Sequence, residues 1–331
     1  MLSKRYCTKS NLRKCSVNRG LLVFCILTIQ NTALVLLTKF SYRKTAVRYA
    51  ASTVIVCAES LKLIVSCVLL GYSDGKLAVR QSLYEVPSSL VRLALPCVLY
   101  VVQNNLLFHG VRLLSPNMYI VCSQSKIVSS AIWNILLLQK RITQKQCVAL
   151  FMLICGMIMV QVGEKKQSQY SADSTRASAS DTVQGIIAVF TAALTSGFAG
   201  TYLEKIYTTD DDRRVSVWYR NTQLAFVSIP VAIMAAIWKD RKSFGVHGVF
   251  QGYNSVVWGI IVLQAFGGLI VALVLRHAGN VLKCFSVSLS ICFCTVATLA
   301  ASDSVEPTLS MTTLLGTTFV IGSVFVYSNV I

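Results

Sequence analysis

Four ionisable side chains stand deep inside long apolar stretches: Glu59, Lys62, Lys126 and Lys283. Placing such a group at the centre of a bilayer costs about 2.5–3.5 kcal/mol on insertion scales, so it faces a partner or a wet cavity. Glu59 and Lys62 are spaced i, i+3 and can pair on one helix face, a packing device as much as a ligand site. Lys126 and Lys283 have no acid within a helical turn. Each belongs to a polar stripe at helical spacing, Tyr119, Ser123, Lys126 and Ser129/Ser130 in one and Asn280, Lys283, Ser286 and Ser290 in the other. A one-sided polar stripe on a membrane helix lines water or a ligand more often than lipid. Two unpaired ammonium groups converging on such a cavity lack anionic charge, and the natural complement is an anion, most simply a phosphate.

Other polar positions are less specific. Gln103, Asn104 and Asn105 are consecutive and point about 100° apart on a helix, so one or two of them face a common cavity; interhelical hydrogen bonding is the competing reading. Ser196–Gly200 and Gly267–Gly268 read as close helix packing, or as room for a bulky ligand to approach the backbone. His109, His247 and His277 lack metal spacing, and no Gly-rich phosphate loop or Ser/His/Asp arrangement occurs. The expected work is binding and translocation, not catalysis; no metal or cofactor is expected, and energy comes from exchange or an ion gradient.

The elements that position these residues follow from composition. Of 331 residues, 54% are hydrophobic and 13% charged, about half the charged share of a soluble domain. The net charge of +18 points towards nucleic acid, but a mean hydropathy of +0.62 excludes that reading and a soluble fold with it. Ten apolar stretches of membrane-spanning length occupy 20–40, 48–71, 88–109, 116–138, 145–163, 183–206, 215–238, 254–275, 279–301 and 308–329. The Ser-rich segment 164–181 reads as a linker between two five-helix halves, 20–163 and 182–331. The basic tail 1–19 places both termini in the cytosol, since ten spans return the chain to its starting side. The 12 cysteines lie mostly in apolar stretches without a C-x-x-C pair and read as small hydrophobes.

Five helices per half is an odd number, so a duplicated half enters the membrane inverted, as in many secondary transporters with a midplane site. A shift of 157 residues superposes Lys126 on Lys283, Ser123 on Asn280 and Ser129 on Ser286. The expected fold class is therefore an all-α membrane protein of ten transmembrane helices in two inverted five-helix repeats.

Several segments are familiar. Glu59-x-x-Lys62, Pro96-x-x-x-Tyr100-x-x-Gln103-Asn104-Asn105, Tyr119 through Ile127, Ser196 through Lys205, Trp218 through Leu224 and Asn280 through Lys283 resemble the nucleotide-sugar transporters of the drug/metabolite transporter superfamily. The branch is that of UDP-galactose, UDP-N-acetylglucosamine and CMP-sialic acid. The resemblance implies a multi-pass protein of the Golgi membrane, with the ER as alternative, that exchanges a cytosolic nucleotide sugar for a lumenal nucleoside monophosphate. It implies phosphate contacts for Lys126 and Lys283. Asn104, Asn105, Tyr119, Gly197 and Asn221 then contact base, ribose or phosphate, Lys62 faces the sugar, and Glu59 and Asn280 complete the expected substrate-binding set. Phe250 through Asn254 and Leu263 through Gly268 resemble the UDP-galactose and UDP-N-acetylglucosamine members. A CMP-sialic acid/CMP exchanger or another organic-phosphate carrier of that superfamily is the alternative. The chain departs from the family pattern at Ile120, Ser123, Ser125 and Gly279. The expected partners are the nucleotide sugar, the nucleoside monophosphate and the bilayer, with no nucleic acid; a homodimer stays open.

Overall fold

In hydrocarbon nothing but the chain itself satisfies a backbone amide, so apolar stretches of this length form helices. In the computed structural model, residues 9–44, 49–114, 116–167, 179–208, 215–300 and 311–328 are described, and every regular element among them is helical. In chain order these are α1 (Lys9–Lys44), α2 (Ala51–Ser73), α3 (Lys76–Tyr84), α4 (Val86–Leu113), α5 (Pro116–Ser123) and α6 (Ser125–Leu138). There follow α7 (Gln144–Gln167), α8 (Ala179–Thr208), α9 (Val217–His247), α10 (Ser255–His277), α11 (Gly279–Ala300) and α12 (Met311–Ser328).

All ten apolar stretches fall on these helices, and six of the helices are long and apolar enough to cross a membrane by themselves. Three points differ from the sequence reading. The segment 76–84, left between the second and third apolar stretches, is the short helix α3, started by Gly75 at φ +88°. Helix α1 begins at Lys9, inside the basic tail. The fourth stretch is not one helix: the Ser125 hydroxyl donates to the Cys122 carbonyl at 2.6 Å and the Ile127 amide to the Gln124 carbonyl at 3.0 Å. Those i→i−3 bonds tighten the turn and divide α5 from α6. Of the linker, 168–178 lies outside the described residues, as do residues 1–8 of the tail.

Helix starts are set locally. Thr143 and Gln146 exchange hydrogen bonds ahead of α7, each side chain accepting from the other's backbone amide, at 3.0 and 3.3 Å, a capping box. The Asn254 side chain accepts from the Val257 amide at 2.9 Å and caps α10.

Polar side chains share the interior with apolar ones, and large apolar side chains cover the outside. Ser66, Thr222, Gln223, Glu204 and Ser286 are buried, while Leu22, Val68, Phe151 and Phe325 are exposed, the distribution expected of a multi-pass membrane protein with lipid as its solvent. Tight crossings rest on glycine. A Cβ on Gly156 of α7 would sit 2.8 Å from the Gly316 carbonyl of α12, and one on Gly110 of α4 would sit 2.4 Å from Val189 of α8. Helix α1 packs on α10 and α11, α2 on α9 and α10, α4 on α8 and α9, α6 on α8, and α7 on α12. Each of these pairings joins an element of the first five stretches to one of the last five.

Candidate functional site

Lys283 lies one turn into α11. Its ammonium sits 5.9 Å from the centroid of the Tyr100 ring of α4, a cation–π approach. Lys126 lies on the first turn of α6, beside the tightened turn at Gln124, whose buried Oε1 has no hydrogen-bond partner among the described residues. The helices meet close by, since Ser130, one turn beyond Lys126, lies 3.6 Å from the sulfur of Cys284. Neither lysine has a carboxylate within ion-pair distance among the described residues.

The head of α11 is held by a side chain that the sequence reading passed over. Glu204 of α8 is 0% exposed; its Oε1 receives Lys140 at 2.5 Å and its Oε2 the backbone amide of Asn280 at 2.7 Å. A carboxylate at a helix N-terminus is favoured by the unpaired amides and the dipole there. Gly279, at φ +86°, makes room: a Cβ at that position would lie 2.8 Å from Glu204 Oε1. The pairing of an acid near the end of one span with the start of another left no mark on local spacing, and Glu204 stood in the sequence reading only within the segment Ser196 through Lys205, with no role of its own.

The second expected pair is formed. Lys62 and Glu59 are 2.5 Å apart on α2, with Lys62 buried. The Ser228 hydroxyl of α9 donates to Glu59, and Gly268 of α10 leaves the space that the Lys62 stem fills. Gly267 likewise accommodates Gln30 of α1. These glycines pack against polar side chains of neighbouring helices.

The remaining candidates divide. Asn221 of α9 is buried and accepts from the Tyr207 hydroxyl at 3.0 Å, while its Nδ2 has no hydrogen-bond partner among the described residues. Tyr119 is half-buried on α5, and Asn104 and Asn105 are exposed on α4, with the Asn105 amide donating to the Val101 carbonyl. Asn280 is engaged in packing: its Nδ2 lies 3.4 Å from Thr201 Oγ1, and a Cβ on Gly200 would touch its side chain. Gly197 is buried in the α6–α8 crossing, where a Cβ would meet Ser129 Oγ at 2.3 Å. The α11 stripe also splits. Ser286 accepts from Thr28 of α1 at 3.1 Å and Ser290 donates to the Thr28 carbonyl at 2.9 Å, so these hydroxyls tie helices together and Lys283 alone turns towards α4.

Comparison with known proteins bears on this arrangement. The profile of the family described as nucleotide-sugar transporter matches residues 16–328. A UDP-N-acetylglucosamine/UDP-N-acetylgalactosamine transporter of Caenorhabditis elegans is 35% identical, over 95% of this chain and 94% of its own. The UDP-N-acetylglucosamine transporter of Homo sapiens is 36% identical over 94% of both chains. A UDP-galactose transporter of Schizosaccharomyces pombe is 37% identical over 92% of this chain and 86% of its own. One crystal structure superposes with a TM-score of 0.63 over 94% of this chain and 96% of the other at 12% identity, which speaks to the fold alone. By the extent of the family match and the identity to these relatives, the chain belongs to the nucleotide-sugar transporter family.

Proposed function

We propose that this protein exchanges a cytosolic UDP-sugar, UDP-N-acetylglucosamine or UDP-galactose, for lumenal UMP across the Golgi membrane, by alternating access around Lys126 and Lys283. The observation that carries this is the pair of ammonium groups on α6 and α11 that have no carboxylate partner among the described residues, on helices that touch at Ser130 and Cys284. A diphosphate leaving water needs about two positive charges, and each lysine contributes charge-assisted hydrogen bonds. UMP brings nearly the same charge back, which favours exchange over one-way passage. The relatives that carry UDP-sugars support the choice of base. Tyr119, Asn104, Asn105 and the open amide of Asn221 then serve base and ribose, and the Glu59–Lys62 pair faces the sugar. Gly197 and Asn280 act by holding α8 against α6 and α11.

The helix pairings support ten spans in two inverted repeats. Exchanging each apolar stretch with the one five places along turns the α4–α8 contact into α10–α1, α6–α8 into α11–α1, and α2–α10 into α9–α4. The α2–α9 and α7–α12 contacts map onto themselves. On this reading the bodies that rock are α1, α10 and α11 against α4, α6 and α8, each drawn from both sequence halves. Lys283 belongs to one body and Lys126 to the other. Both termini then lie in the cytosol.

Uptake of labelled UDP-N-acetylglucosamine into proteoliposomes tests the reading. Rapid uptake into vesicles preloaded with UMP and slow uptake into empty ones is the expected result. Equal rates in both would overturn the exchange, and preference for CMP-sialic acid with CMP inside would replace the base.

A further inference from the structure

Helices α2 and α9 are joined at both of their ends by hydrogen bonds of the same construction. At one end the Tyr253 hydroxyl, in the loop after α9, donates to Thr53 Oγ1 at 2.9 Å, and Thr53 is the third residue of α2. At the other end the hydroxyl of Tyr219, the third residue of α9, donates to the carboxylate of Glu85, which precedes α4 and follows α2 by way of α3. Midway, Ser228 of α9 reaches Glu59 of α2. The pair is therefore antiparallel, and each tie links the start of one helix to the segment beyond the end of the other. Tyr253 leads into α10 of one rocking body and Glu85 leads into α4 of the other, so each tie holds the entry to one body against the α2–α9 pair.

The two ties differ in chemistry. Thr53 and Tyr253 are neutral hydroxyls, and Thr53 Oγ1 in turn donates to the Ala50 carbonyl at 2.8 Å. Tyr219 donates to the carboxylate of Glu85, which is exposed, so water screens part of the charge assistance and the strength of that end lies in the number of its ties. The Glu85 end is further laced: Gln81 donates to Glu85 at 3.0 Å, Gln223 to the Ser82 carbonyl at 3.2 Å, and Arg220 to Gln223 at 2.9 Å.

We propose that Tyr219–Glu85 and Tyr253–Thr53 are the two end latches of the transport cycle, one at each mouth, and that their unequal strength makes the empty protein rest open at the Thr53 mouth. The proposal rests on the exchange reading given above. Apparent affinity from one side scales with the fraction of protein open to that side, so weakening one latch moves the two sides in opposite directions. A merely structural bond, when removed, lowers the rate or the melting temperature and leaves the two affinities moving together.

The test measures KM for UMP from each face in orientation-sorted proteoliposomes, with UDP-N-acetylglucosamine as counter-substrate, for wild type, Tyr219→Phe, Glu85→Gln and Tyr253→Phe. Tyr219→Phe and Glu85→Gln are expected to lower KM at the Glu85 face by about three- to tenfold, the span of one net hydrogen bond at a water-exposed acceptor, and to raise it at the Thr53 face. Tyr253→Phe shifts both in the opposite sense. Glu85→Gln keeps an acceptor for Tyr219 and carries the test if Tyr219→Phe does not fold. Exchange with KM values unmoved, or moving in parallel, overturns the latches alone. Absence of exchange by the wild-type protein overturns the transport reading and the latches with it.

Discussion

Glu204 of α8 accepts the backbone amide of Asn280 at 2.7 Å and so holds the first turn of α11, three residues ahead of Lys283. Its charge is balanced by Lys140, whose side chain is 54% exposed while that of Glu204 is 0% exposed. The two partners are therefore not equivalent. Replacing Lys140 by Met strands a buried carboxylate, at a cost of about 3–5 kcal/mol. Replacing Glu204 by Gln returns Lys140 to water and costs less. Melting temperatures of the purified variants should fall further for Lys140→Met than for Glu204→Gln, and the double variant should recover part of the loss.

Lys126→Ala and Lys283→Ala should each cut nucleotide-sugar uptake by roughly 10–100-fold, since a hydrogen bond to a charged group is worth about 1.5–3 kcal/mol. Both variants should fold, because neither lysine holds a carboxylate among the described residues. Lys62→Ala behaves differently: it strands Glu59 beside Ser228 and should lower the melting temperature as well as uptake. Uptake assays paired with thermal unfolding separate the two classes.

Gly279 adopts φ +86° with the Glu204 carboxylate against its open side. Gly279→Ala adds both a left-handed backbone cost and a contact at 2.8 Å, a loss of about 1–3 kcal/mol. Thermal unfolding should show it. The Ala variant should also weaken uptake, because the strain falls on the turn that carries Lys283.

Glu85 titrates below the ordinary carboxylate range, chiefly because Tyr219 donates to it, with Gln81 and the charge of Arg220 adding to the effect. A lowered folded pKa means that its stabilisation is present above the unfolded value of about 4.3 and is lost as pH falls through the folded value. Between pH 7 and pH 5 this group should leave the melting temperature unchanged. Below about pH 4 the wild type should lose stability that Glu85→Gln already lacks, so the two melting curves converge on the acid side.

Much of this architecture was legible in the residues. Apolar length alone located the helices, and the i, i+3 spacing of Glu59 and Lys62 foretold their pair. What escaped depends on neighbours distant in sequence. Ser286 and Ser290 share a face with Lys283, yet Thr28 of α1 takes them up. Glu204 was given no role because nothing local reveals that Lys140 and the head of α11 close over it. The turn at Gln124 was invisible for another reason: no Pro or Gly marks it, and a serine hydroxyl bonding back to Cys122 does the work.

The seam between α7 and α12, where the Gly156 and Gly316 backbones come together, has a consequence for how the protein is made. The fifth apolar stretch leaves the ribosome long before its mate, the tenth, is synthesised. Until then its glycine face meets lipid or a chaperone, and the groove it offers stays unfilled. Closure of this seam therefore waits for the tenth stretch, and a chain stalled before it leaves the glycine face of α7 uncovered.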